Sequence, residues 1–264
     1  MLCRTVLFVL LGITLTQAQA FAQGAVTNGA NHSGVIPVGG VDNWTFNAAF
    51  NDSIVISVAE VLVAPGEPDP VFIPRIRLIG PDGATLRDED GAVNAEVWVR
   101  AALAGTYTVV VSHDCCTSPQ QIAPGNYTLR VVQAPGGPTV PAGDEGGPIT
   151  NGANHAGVIG IGDLDPWTFT AAFNDNIVIS VAEVLVAPGQ PDPVFIPRIR
   201  LIGPDGATLG DEDASVNATI AIAATLAGSY TAIVSHYCCT SSQQVAPGSY
   251  TLSANVTGPP AISI

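Results

Sequence analysis

The chain of 264 residues repeats itself at a fixed offset of 123 positions. Thr27-Asn28-Gly29-Ala30-Asn31-His32 returns as Thr150-Asn151-Gly152-Ala153-Asn154-His155, and from Ile54 to Leu86 the second copy, Ile177 to Leu209, differs only where Glu67 becomes Gln190. A recent duplication accounts for such identity, so identity alone assigns no function. Unequal divergence says more: Ala95 to Ala101 has become Ala218 to Ala224 with most residues replaced, while Cys115-Cys116 persists as Cys238-Cys239. A period this long belongs to whole domains rather than to solenoid units, so two beads on a string are expected.

The repeat sets the domain map. Residues 1–22 carry Arg4, an apolar run from Val6 to Leu15 and small residues at Ala18, Ala20 and Ala22, the pattern of a secretory signal peptide. The run is shorter than the roughly 20 residues a bilayer core requires. The first repeat takes 23–133 and the second 149–257, leaving a tail at 258–264; each repeat has roughly 110 residues, enough for its own core. Between them, 134–148 is rich in Pro and Gly, the composition of a linker.

Within each repeat the apolar residues alternate as strands require. Trp44, Phe46, Ala48 and Phe50 fall on one face of a predicted strand, Asn51-Asp52 reads as a turn, and 53–63 as the returning strand. Further strands are predicted over 71–79, 96–100, 106–112 and 127–132, with Pro81-Asp82-Gly83 as a turn. Short strands punctuated by Gly, Pro and Asn imply an all-β chain of two tandem β-sandwich, jelly-roll-like domains.

Four motifs occur in the same order in both repeats. They are Asp42-Asn43-Trp44-Thr45-Phe46, Pro74 to Gly83, Ala104-Gly105-Thr106-Tyr107 and Gly125-Asn126-Tyr127-Thr128-Leu129, returning at Asp165 to Phe169, Pro197 to Gly206, Ala227 to Tyr230 and Gly248 to Leu252. Together they resemble the bacterial pre-peptidase C-terminal domain, in two copies without a peptidase domain. The resemblance implies a secreted β-sandwich that accompanies an extracellular peptidase or other enzyme, with a separately encoded peptidase as a partner, and it brings no catalytic residues.

Charge narrows the partners. The chain has 22 acidic residues against 8 basic ones, all of them arginine. Phosphate backbones and anionic membrane surfaces need cations at each contact, so nucleic acid and membrane insertion are not expected. Arg75 and Arg77, with Arg198 and Arg200, alternate along a strand, so each pair shares a face. Ion pairing with acids on the same sheet is one reading of these pairs, and a shallow site for carboxylate-bearing polymers is the other. Trp44 and Trp167 lie on the apolar face and are expected in the core, whereas Trp98 has no tryptophan counterpart.

Chemistry-bearing clusters are few. Ser112-His113-Asp114 holds the residue types of a hydrolase triad, but neighbours in a strand point to opposite faces, and the second repeat has Ser235-His236-Tyr237 without the acid. No enzyme is expected. After export, Cys115, Cys116, Cys238 and Cys239 are the only cysteines, and an oxidising compartment favours disulfides. Three readings stand side by side: vicinal bridges within each repeat, bridges between repeats or chains that fix an assembly, and a Cu(I) or zinc site with His113 and His236. Asp88, Glu89 and Asp90, with Asp211, Glu212 and Asp213, form acidic runs after a turn, expected as solvated loops, with calcium as the cofactor their oxygens allow. The expectation is a secreted protein, extracellular or periplasmic, acting as a non-catalytic accessory or binding module on extracellular protein or polysaccharide. The alternatives are an assembly protein joined through its Cys-Cys loops and a metal-binding protein.

Overall fold

The computed structural model describes residues 20–62, 72–114, 124–185, 195–237 and 248–259. Among them are eighteen strands and no helix, arranged as two β-sandwiches.

The first sandwich is built from β1 (Ala20–Ala25), β2 (Asn31–Ile36), β3 (Val41–Ala48), β4 (Ser53–Glu60), β5 (Pro74–Ile79), β6 (Thr85–Asp90), β7 (Asn94–Arg100), β8 (Gly105–His113) and β9 (Gly125–Ala134). Its two sheets run β1-β3-β8-β5-β6 and β2-β9-β4-β7. The chain crosses repeatedly between them, because strands with one apolar face must cover each other's cores. Trp44, Phe46 and Ala48 of β3 meet Ile54, Ile56 and Val58 of β4 in that core. The alternation stops one residue pair short of its predicted end. Phe50 lies beyond β3, 63% exposed, because Asn51 adopts a positive φ of 73° and Asp52 accepts the Ala49 N–H, which turns the chain away from the core.

The second sandwich repeats the plan with β10 (Gly147–Pro148), β11 (Asn154–Ile159), β12 (Asp165–Ala171), β13 (Asn176–Glu183), β14 (Pro197–Ile202), β15 (Thr208–Asp213), β16 (Asn217–Ala223), β17 (Gly228–His236) and β18 (Gly248–Thr257). Its sheets run β10-β12-β17-β14-β15 and β11-β18-β13-β16. All strand pairs in both sandwiches are antiparallel except the edge pairs β1 with β3 and β10 with β12.

Two expectations are corrected by this topology. Asp88-Glu89-Asp90 and Asp211-Glu212-Asp213 are not loops but parts of the edge strands β6 and β15, held in register against Arg75 to Arg77 and Arg198 to Arg200. The residues between the repeats are not a free string: the Thr139 N–H donates to the Asn28 carbonyl, and β10 joins the second sandwich's sheet. Strand β1 also takes in Ala20 to Ala22, at the end of the expected leader.

The sandwiches stack. Val55, Val132 and Ala134 from the outer face of β2-β9-β4-β7 form one buried cluster with Leu164, Ile202 and Ile233 of the second sandwich. Each fully buried aliphatic side chain contributes roughly 1.5–3 kcal/mol, against about 0–1 kcal/mol for an exposed ion pair such as Arg100 with Asp205, so apolar contact dominates the junction. Backbone approach there requires glycine. A Cβ on Gly206, at φ +76°, would lie 1.9 Å from the Asn51 carbonyl oxygen, while its counterpart Gly83 has open space.

Candidate functional site

The junction gathers the charged and aromatic residues that differ between the repeats. Register places Trp98 of β7 opposite Val55 of β4, on the outer face with Glu96. The equivalent positions in the second sandwich are Ala221 and Thr219. The Arg200 guanidinium lies over the Trp98 ring, 5.2 Å from its centroid, and 3.6 Å from the Glu96 carboxylate. Arg198 reaches the same carboxylate at 3.4 Å and holds Asp211 through two hydrogen bonds of 2.7 Å. Burial pushes the Glu96 carboxyl up, against the pull of Arg200 and Arg198. Burial also opposes the Asp211 charge, but the hydrogen bond from Arg198 and the charge of Arg200 outweigh it and hold Asp211 below the usual carboxylate range.

Trp98 is 41% exposed and forms part of the wall of two cavities. One, of about 240 Å³, is bounded by Asp82, Leu86, Arg87, Arg100, Leu103 and Tyr107. The other, of about 290 Å³, carries Glu89, Asp90, Asn94, Glu96 and, from the second sandwich, Arg198. The indole therefore sits between a largely apolar hollow edged by two arginines and a polar hollow of acids and an amide. The second repeat has Gly210 and Ala223 where the first has Arg87 and Arg100, so these two arginine walls have no equivalent there.

A second constellation ties the sandwiches together. Arg130, 2% exposed on β9, extends its guanidinium to Asp163 and Asp144 and lies 3.8 Å from Asp165. Its counterpart in the second repeat is Ser253. Asp165 is fully buried and accepts a 2.6 Å hydrogen bond from the Tyr250 hydroxyl, which in turn accepts the Trp167 indole N–H. Burial, with Asp163 and Asp144 close by, pushes the Asp165 carboxyl up to about 8. Burial likewise raises Asp163. Ligand oxygens of Asp144, Glu145 and Asp165 come within 4.8 Å of one another, a donor set suited to a hard cation, but the Arg130 guanidinium already brings positive charge to these acids. Sequence reasoning missed this cluster; the signal that marks it is the arginine-for-serine difference between β9 and β18.

The residues singled out from sequence are distributed unevenly. Arg198 and Arg200 are both in the junction, Arg200 only 3% exposed. Arg75 and Arg77 remain on the open outer face of β5, where Arg75 pairs with Asp88 at 2.7 Å and Asp114 at 3.0 Å. The structure does not bring Asp88, Glu89 and Asp90 onto one side, since successive strand residues alternate. His113 accepts the Ile73 N–H at Nδ1 and stacks on Phe72, and burial lowers its pKa; His236 repeats the arrangement with Ile196 and Phe195. With His113 on the backbone and Asp114 on Arg75, Ser112-His113-Asp114 forms no relay. Cys115, Cys116, Cys238 and Cys239 lie outside the described residues. Trp44 and Trp167 are buried as expected, each donating its indole N–H to a tyrosine hydroxyl.

Among the described residues no helix is long and apolar enough to cross a membrane. No family model matches the chain, and neither does any curated protein. Among solved structures, it is similar to the pre-peptidase C-terminal domain of a collagenase from Bacillus anthracis, at 20% identity and TM-score 0.31, over 44% of this chain and 96% of that one. The Aeromonas hydrophila periplasmic inhibitor of g-type lysozyme is matched at 13% identity and TM-score 0.33, over 44% of this chain and 99% of that one. The tandem CBM51 modules of a family 98 glycoside hydrolase from Streptococcus pneumoniae are matched at 8% identity and TM-score 0.27, over 86% of this chain and 83% of that one.

Proposed function

We propose that the chain is a secreted, non-catalytic binding module that holds an extracellular polysaccharide in the groove around Trp98. The observation that carries this reading is the half-exposed indole, set between two hollows with Arg87, Asp82 and Arg100 on one side and Asn94 and Glu96 on the other. A pyranose presents an apolar C–H face to an aromatic ring and a rim of hydroxyls to side-chain donors and acceptors, and this groove offers both. Mixed charge around the indole, on a chain of net charge −14, favours a neutral polymer over a uronic one.

Affinity electrophoresis of the full chain through gels containing soluble neutral and uronic polysaccharides tests the proposal. At least one neutral polymer should retard the protein, and Trp98→Ala should weaken that retardation by about tenfold or more. Undiminished retardation in both Trp98→Ala and Arg87→Ala would move the site elsewhere, and free migration through every gel would remove the polysaccharide reading.

A further inference from the structure

The stack has four sheets and hence four outer faces, of which two are buried on each other at the junction. The two faces left open have had different histories. On β16 and β18, the positions equivalent to the docked face of the first sandwich have become polar or small: Val132 is replaced by Asn255, Ala134 by Thr257, Arg130 by Ser253 and Trp98 by Ala221. On β13, Val178 keeps the valine of Val55, and the rest of that face is adapted to water.

The open face of β1-β3-β8-β5-β6 is of the other kind. Its equivalent in the second sandwich is the docked face, where Leu164, Ile202 and Ile233 are buried and Arg200 is covered by Trp98, Glu96 and Asp211. Class is kept at every one of these positions: Val41 for Leu164, Ile79 for Ile202, Val110 for Ile233 and Arg77 for Arg200. Duplication alone would leave both open faces equally close to their docked counterparts, and only one is. Arg77 is exposed and forms no salt bridge among the described residues, although its counterpart is fully engaged.

We propose that this face is a docking surface occupied by the same face of a second copy of the chain. The occupant follows by elimination. Val41 and Ile79 are partly exposed on this face, beside a Val110 that is only 6% exposed, and the face that matches them in a second copy is the same one, since two of its four faces are already buried and a third is largely polar. Charge fits the same pairing. Arg75 and Arg77 on β5 lie in register with Asp90 and Asp88 on the neighbouring β6, so a two-fold axis along the strands between them sets the arginines of one copy against the aspartates of the other. Asp90 borders both this contact and the polar hollow beside Trp98, but the contact does not use the indole and forms in the absence of any polysaccharide.

Sedimentation velocity of the full chain over a wide concentration range tests the proposal. A monomer–dimer equilibrium is expected. Arg77→Glu, an exposed change that leaves the fold intact, should weaken it by about tenfold or more, as should Ile79→Lys, while Asn255→Lys on the polar open face leaves it unchanged. Mixing Arg77→Asp with Asp88→Arg should restore association as a heterodimer. A chain that stays monomeric throughout overturns the proposal, and so does a dimer indifferent to Arg77→Glu.

Discussion

Each sandwich carries a three-residue polar chain through its core: the indole N–H of Trp44 donates to the Tyr127 hydroxyl at 2.8 Å, which donates to Asp42 at 2.6 Å. Trp167, Tyr250 and Asp165 repeat it. Gly34 makes room for the tyrosine, since a Cβ there would lie 2.3 Å from its hydroxyl oxygen. Removing the central link leaves a donor and a carboxylate buried without each other. Tyr127→Phe is expected to destabilise the fold by about 1–3 kcal/mol, read from chemical denaturation, and the same change at Tyr250 should cost less at neutral pH, because Asp165, pushed up to about 8, is largely protonated there. Arg130 is the more sensitive residue. Arg130→Met strands several carboxylates around one lost cation, and a loss of about 3–5 kcal/mol is expected.

Elements show what a duplicated sequence reveals and what it conceals. The alternation of Trp44, Phe46 and Ala48 was enough to place β3 and its buried face, and the β-branched residues after Ser53 placed β4. Strand β6 was hidden because Thr85 to Asp90 is polar apart from Leu86; its place beside β5 is marked by ion pairs such as Arg75 with Asp88, which periodicity does not register. The exchange of Ala95–Ala101 for Ala218–Ala224 was visible as text, but its cause was not. Strand β7 faces a second sandwich and β16 does not, and contact between domains leaves no local pattern. The glycine turns sharpen the contrast. Gly206→Ala should lower the melting temperature clearly more than Gly83→Ala: both pay the left-handed backbone cost of roughly 1–2 kcal/mol, but only the first drives a methyl group into Asn51.

At the scale of the whole molecule the junction makes stability depend on pH. Burial raises Asp165 to about 8 and also raises Asp163 and Glu96, so the folded stack binds these protons more tightly than the unfolded chain does. Their contribution is full below about pH 4 and is lost as pH rises, through about 8 for Asp165. Asp88, lowered by its hydrogen bond from Arg75, and Asp211 act in the opposite sense, contributing above about pH 4 and failing below it. Thermal melts across pH should therefore peak on the mildly acidic side and fall toward pH 8, with the alkaline fall weakened when Asp165 is replaced by Asn.

Arg130 faces acids that only the second repeat's surroundings supply, and Arg200 faces a tryptophan that only the first repeat owns. The two copies are thus a matched lock and key cut from one template, and their order along the chain is part of the fold. A gene rearranged to encode the second repeat before the first would keep both docking faces but remove the segment that now leads from β9 into β12, and with it the contacts that Asp144 and β10 make at the junction.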